Sequence, residues 1–113
     1  MIAVTSKAFT IDEVDAASGY ESGIRDFWDF HAGQPGFRGR LLMRSRSDRT
    51  SFTHVRFFDS VRDYEQMIKR PGYAEHINAL AKHLRPHPDA PGKDYVDVVV
   101  GDWPDGAGAP GRP

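Results

Sequence analysis

The sequence predicts an α+β fold in which four antiparallel strands carry their helices on one face. Three observations predict it. Phe37 to Phe58 holds two runs that alternate residue by residue around a polar turn, Tyr20 to His31 and Tyr64 to Leu84 space their apolar residues as helices do, and β-forming segments stand at either end. The resulting order, β-α-β-β-α-β, is the ferredoxin-like arrangement.

Taken in order, Ile2 to Phe9 mixes small, β-branched and polar residues in a short run and reads as the first strand. Asp12 to Ser18 is a polar connection, and Asp12, Glu13 and Asp15 read as a solvated run rather than a catalytic pair. Tyr20, Ile24, Phe27, Trp28 and His31 recur at helical spacing, with Glu21, Arg25 and Asp29 elsewhere on the wheel, until Gly33 and Pro35 end the helix. Phe27 and Trp28 lie on its apolar stripe and are expected in the core. Phe37, Gly39, Leu41 and Met43 alternate with Arg38, Arg40, Leu42 and Arg44. After the turn Ser47-Asp48-Arg49, Phe52, His54, Arg56 and Phe58 alternate with Thr53, Val55 and Phe57, which makes a hairpin. Ser60 caps a helix from Val61 with Tyr64, Met67 and Ile68 on one side. Pro71 breaks or restarts that helix, and Tyr73, Ile77, Leu80, Ala81 and Leu84 continue its stripe up to Arg85-Pro86-His87-Pro88. Tyr95 to Val100 is the last strand. One domain is expected over residues 1–101, with 102–113, dominated by Gly, Pro and Ala after Trp103, as a flexible tail.

Charge and composition narrow the function. Lys+Arg 15 against Asp+Glu 16 gives a net charge of -1, and the arginines between Arg38 and Arg49 alternate with apolar residues instead of forming a patch, so nucleic acid is not an expected partner. No apolar run approaches the ~20 residues of a membrane span, and Met1 to Lys7 lacks the pattern of a secretory leader, so a cytoplasmic protein without a membrane partner is expected. With no cysteine, thiolate catalysis, thiolate-ligated metal and covalent haem attachment are excluded. No glycine-rich phosphate loop is present, so no nucleotide cofactor is implied. His76, His83 and His87 are separated by offsets of seven and eleven from the first, but Pro86 breaks the helix before His87, and no metal site is expected there. Four strands with both helices on one face leave the other face bare. Leu41, Phe52, Phe58 and the Val96-Val98-Val100 series give both faces apolar content, so a second copy is the economical cover, and a homodimer is expected.

Pro35-Gly36-Phe37, Phe57-Phe58-Asp59-Ser60 and Pro71-Gly72-Tyr73-Ala74-Glu75-His76, in that order and spacing, resemble the antibiotic-biosynthesis-monooxygenase superfamily of dimeric α+β barrels. The resemblance covers roughly residues 2–101 by element order. It implies an enzyme, of the monooxygenase kind, that oxidises an aromatic or polyketide-type small molecule with O2 and without a cofactor. In quinone-forming members a Trp-x-Ser ends the third strand, and here Phe58-Asp59-Ser60 stands in its place. The matching Trp and an Asn on the same strand face bind substrate near the oxygen in those members, and this chain has Phe58 and His54 there. Tyr64 matches a tyrosine of the following helix, and His76 falls where an Arg can stand. Haem-degrading members place an axial His at the position of His76, with an Asn near Ser6 or Lys7 and a Trp at Met67, and the latter two are not kept. Haem is therefore the alternative cofactor, with His76 as its ligand.

The residues themselves point to the same place. His54 shares a strand face with Phe52, Arg56 and Phe58, and His76 lies on a helix whose stripe faces that sheet. A histidine beside a Tyr and an Arg can take a proton from a phenol or enol and leave an electron-rich anion for O2. His76, His54 and Arg56 are the expected catalytic residues, and Phe58, Tyr64, Phe52 and Met67 the expected substrate-binding ones. The expected ligand is a hydrophobic aromatic molecule. The same His and Arg would also serve an oxygen-free polyketide cyclase or isomerase.

Overall fold

The computed structural model describes residues 1–104. Its elements run β1 (Ile2–Phe9), α1 (Asp15–Asp26), α2 (Trp28–Ala32), β2 (Phe37–Arg44), β3 (Ser51–Phe58), α3 (Val61–Ile68), α4 (Tyr73–Ala81) and β4 (Asp94–Asp97). The strands form one antiparallel sheet in the order β2-β3-β1-β4, the ferredoxin-like order, so the α+β expectation holds. Among the described residues no helix is long and apolar enough to cross a membrane. Of the expected tail, residues 105–113 lie outside the described part.

Each expected helix is two. The first starts earlier than the polar look of Asp12 to Ser18 implies. The Asp12 carboxylate accepts from the backbone N–H groups of Val14 and Ala16 at 3.0 and 2.9 Å, and Ala16 and Ala17 are buried. It breaks at Phe27, whose N–H turns back to the Ile24 carbonyl at 3.2 Å, and α2 follows with neither Gly nor Pro at the break. In the second, Ser60 caps α3 as expected, its hydroxyl accepting from the Asp63 N–H at 3.2 Å, and Pro71 separates α3 from α4. Gly72 opens α4 at φ +100°, and its N–H donates to the Glu75 carboxylate at 3.1 Å.

Two departures bear on the site. A bulge between Phe37 and Gly39 puts Phe37 opposite Phe58 and Gly39 opposite Phe57, so Arg38 is the extra residue. Phe37, Arg40, Leu42 and Arg44 therefore face the helices, whereas Leu41 and Met43 face away. The even alternation of the sequence had grouped Phe37 with Leu41 and Met43. The last strand also stops short, at Asp97 rather than Val100. Its partner runs out: Asp97 pairs with Ile2, the first residue of β1, and beyond the Val98 N–H bond to the Met1 carbonyl nothing is left to pair with Val99 and Val100, which are exposed.

On the helix side of the sheet the core is split. One cluster joins Ala8 and Phe52 to Ala17, Tyr20, Ile24 and Leu80, and the other joins Ile2, Val4 and Phe58 to Tyr64 and Met67. Between them β1 and β3 place Ser6 opposite His54 and Val4 opposite Arg56, so a polar strip crosses the middle of an otherwise apolar face.

Candidate active site

Above that strip lies a cleft of about 200 Å³, walled by Ser6 and Ala8 of β1, His54 and Arg56 of β3, Tyr20 and Ile24 of α1, His31 of α2, and Tyr73, His76, Ile77 and Leu80 of α4, with Pro91 at its margin. The period of two along β3 aims His54 and Arg56 at the helices, and the break at Phe27 turns His31 towards them, with the His31 and His54 ring centres 6.3 Å apart. His76, one turn into α4, lies flat on Phe27 at 3.6 Å.

Arg56 is only 5% exposed. One guanidinium nitrogen, Nη2, donates to the Ser6 hydroxyl at 3.1 Å and Nη1 to the Tyr73 hydroxyl at 3.4 Å, while Nε is buried without a partner. Its face lies 5.2 Å from the centre of the Tyr64 ring. Among the described residues no carboxylate pairs with it; the ion pairs are Arg38–Asp59, Arg44–Glu21 and His87–Asp89. A buried cation with neutral partners alone is costly, by several kcal/mol even after the surroundings relax.

The neighbouring histidines are held neutral. Burial pushes His31 down to about 4 from the ordinary 6.5; its hydrogen bond to the Phe27 carbonyl pulls the other way, and the weaker fields of Arg40 and Arg56 add to the depression. Burial and the same arginines bring His76 to about 4, and burial followed by Arg56 holds His54 well below 6.5. Since the Phe27 carbonyl can only accept, its 3.2 Å contact fixes the proton of neutral His31 on Nδ1 and leaves a lone pair on Nε2, which is buried without a partner, as is His54 Nε2. Burial also lifts the phenols of Tyr20 and Tyr73 to about 12, so both are neutral donors. The arrangement offers fixed positive charge, neutral imidazoles with unshared lone pairs, and apolar walls.

Several solved structures share this architecture. The cofactor-independent oxygenase SnoaB of Streptomyces nogalater superposes with a TM-score of 0.70 at 18% identity, over 92% of this chain and 97% of that one. A Bordetella bronchiseptica protein assigned as an antibiotic biosynthesis monooxygenase gives 0.74 at 14% identity, over 88% and 97%. A Caulobacter crescentus protein of the same assignment gives 0.74 at 18%, over 88% and 90%. The chain has the fold of the antibiotic biosynthesis monooxygenases. No protein-family model matches it, and no curated protein matches its sequence.

Within this monooxygenase fold the expected site residues divide. His54, Arg56 and His76 meet at the cleft. Phe52 belongs to one apolar cluster, and Phe58, Tyr64 and Met67 to the other, all buried and none on the cleft wall. Phe27, expected as core, is half-buried and stacks on His76, while Trp28 lies under the Arg40 guanidinium at 5.4 Å. His83 packs against Gly19 of α1 and His87 stacks on Phe9 at 3.6 Å, so both diverge from His76. His31, Tyr73 and Tyr20 join the site without having been singled out, and Arg40 acts on it from β2. A histidine on an apolar helical stripe was the available signal for His31. For Arg40 the bulge removed any.

Proposed function

We propose that this protein is an oxygenase that works on a small hydroxyarene with O2 and without a cofactor, with Arg56 holding the substrate's oxygen as it becomes negative and His54 or His76 taking the proton. The observation that carries this reading is the buried, unpaired Arg56 beside three neutral imidazoles. The likeness to SnoaB, described as a cofactor-independent oxygenase, supports it. The fixed cation stabilises the arenolate, and the arenolate supplies electrons to O2. A ring C–H para to the oxygen becomes C=O: one oxygen atom enters the product and the other leaves as water, with all four electrons coming from the substrate. No external reductant is needed.

The test is oxygen consumption by the full-length protein against hydroquinones, naphthols and anthrones. His54→Ala or His76→Ala is expected to lower turnover ~100-fold, as loss of a general base does, with circular dichroism unchanged. Product formed without oxygen uptake would instead establish the cyclase or isomerase reading, and activity unchanged in both variants would remove the histidines from the mechanism. Haem does not fit the cleft as it stands: His76 lies flat on Phe27 beside a space of about 200 Å³, less than a porphyrin occupies.

The bare face of the sheet supports a homodimer. Leu41, Met43 and Val96 are 43%, 47% and 39% exposed there, beside Val55 and Phe57. Light scattering at micromolar concentration is expected to give twice the 12.7 kDa chain mass, and a monomer would refute the pairing of sheets.

A further inference from the structure

We infer that the cleft selects a hydroxyarene of one or two rings and holds it as the oxyanion, with the negative oxygen on Arg56. The inference rests on the cleft being the reaction site and adds the size of what binds there and its ionisation already in the resting complex, before any O2 reacts.

Charge comes first. Arg56 lines the cleft with no carboxylate beside it, and its two terminal nitrogens each give one N–H to a neutral hydroxyl and have a second to spare, so an anionic oxygen in the cleft would supply the missing countercharge. Ser6 accepts from Arg56 through its oxygen and keeps its own proton to donate to the same ligand oxygen. A metal cation is the rival occupant, because His31 and His54 each leave Nε2 unpartnered. Arg40 and Arg56 both act on these two imidazoles, and that field repels a cation while it attracts an anion.

Shape and size come next. A flat surface is provided by the His76 ring, which Phe27 backs from outside the cleft, and Tyr20, Ile24 and Leu80 supply the apolar walls. An apolar cavity of about 150 Å³ is known to take one benzene ring. At about 200 Å³ this cleft has room for one ring with substituents or two fused rings, and three fused rings exceed it. The proton is then accounted for. Leaving the arenol O–H, it passes to a neutral imidazole, and because that imidazole holds protons weakly it is handed on to water; the resting complex is an arenolate on Arg56 with uncharged histidines.

Nitrophenols test this directly, since the nitrophenolate absorbs in the visible and the neutral phenol does not, and neither need be turned over. Full-length protein is titrated into 4-nitrophenol one pH unit below the phenol's own pKa, into a nitronaphthol treated likewise, into a hydroxyanthraquinone, and into 4-nitroanisole, which cannot ionise. The expected result is a saturable rise of the arenolate band for the one- and two-ring phenols, with affinities at least tenfold above those for the anisole and the three-ring compound. Arg56→Gln is expected to lose the rise and Arg56→Lys to keep part of it, each with a thermal transition recorded as a folding control. Should neither variant fold, the comparison of nitrophenol with nitroanisole on the wild type still decides. Nitrophenol bound without a rise in the band, anisole bound as tightly, or a three-ring compound bound as tightly would each overturn the inference. Ionisation without oxygen uptake on any substrate would leave the ligand assignment standing and defeat the oxygenase reading, whereas oxygen uptake without ionisation would do the reverse.

Discussion

On acidification from pH 7, the protein is expected to lose stability across a window that opens near 6.5 and closes near 4. His31 titrates at about 4 when folded and near 6.5 when free, so between these values the unfolded chain binds a proton that the folded one refuses. Stability therefore rises with pH through this interval; the contribution is present in full above 6.5 and lost as pH falls to the folded value. For His31 alone, the difference amounts to about 3 kcal/mol, a large share of the 5–15 kcal/mol of a typical domain. His54, buried more deeply, acts in the same direction, and His76, half exposed, adds less. Urea unfolding at half-unit intervals from pH 7.5 to 4.5 measures the slope. His31→Gln should flatten it, and a midpoint independent of pH would mean that the buried imidazoles are charged or solvated in the folded state.

Truncating Phe58 is expected to cost about 3–5 kcal/mol, the usual range for a core Phe→Ala. Its ring is fully buried, edge-on to Phe37 and to Tyr64 at 5.4 and 5.7 Å, and it lies away from the cleft wall. Phe58→Ala should thus lower the urea midpoint sharply while the folded fraction binds nitrophenol with unchanged affinity. A loss of binding with stability intact would return Phe58 to the role of substrate platform that its place in the Phe58-Asp59-Ser60 motif implies.

What the sequence discloses follows from how local the cause is. The hairpin, the face shared by Phe52, His54, Arg56 and Phe58, and the Ser60 cap are all properties of neighbours along the chain, and each was legible. The bulge at Arg38 is not. It depends on how β2 meets β3, and one extra residue there turned Arg40 inward against the apparent alternation. The end of β4 was hidden for a related reason, since Val98 to Val100 have high strand propensity but no length of β1 to pair with. At the site, the polar residues of β3 were conspicuous because they interrupt an apolar row. His31 and Tyr73 were not, because each sits on a stripe that looks like ordinary helix core. The expected binding residues Phe52, Phe58, Tyr64 and Met67 were conspicuous as large side chains on the helix-facing surfaces, and that same property places them inside the two apolar clusters and off the cleft wall.

The division of the core into two clusters makes this domain modular in a way a single core would not be. Positions 6, 54 and 56 border both clusters through the backbone of β1 and β3 but belong to neither. Changes at 6 and 54 alter the polar lining of the cleft while the contacts within each cluster stay in place, whereas a change at Arg56 also uncovers the face of Tyr64. Energies of substitutions in opposite clusters should add, and under the proposed function three side chains on two adjacent strands decide what the cleft accepts.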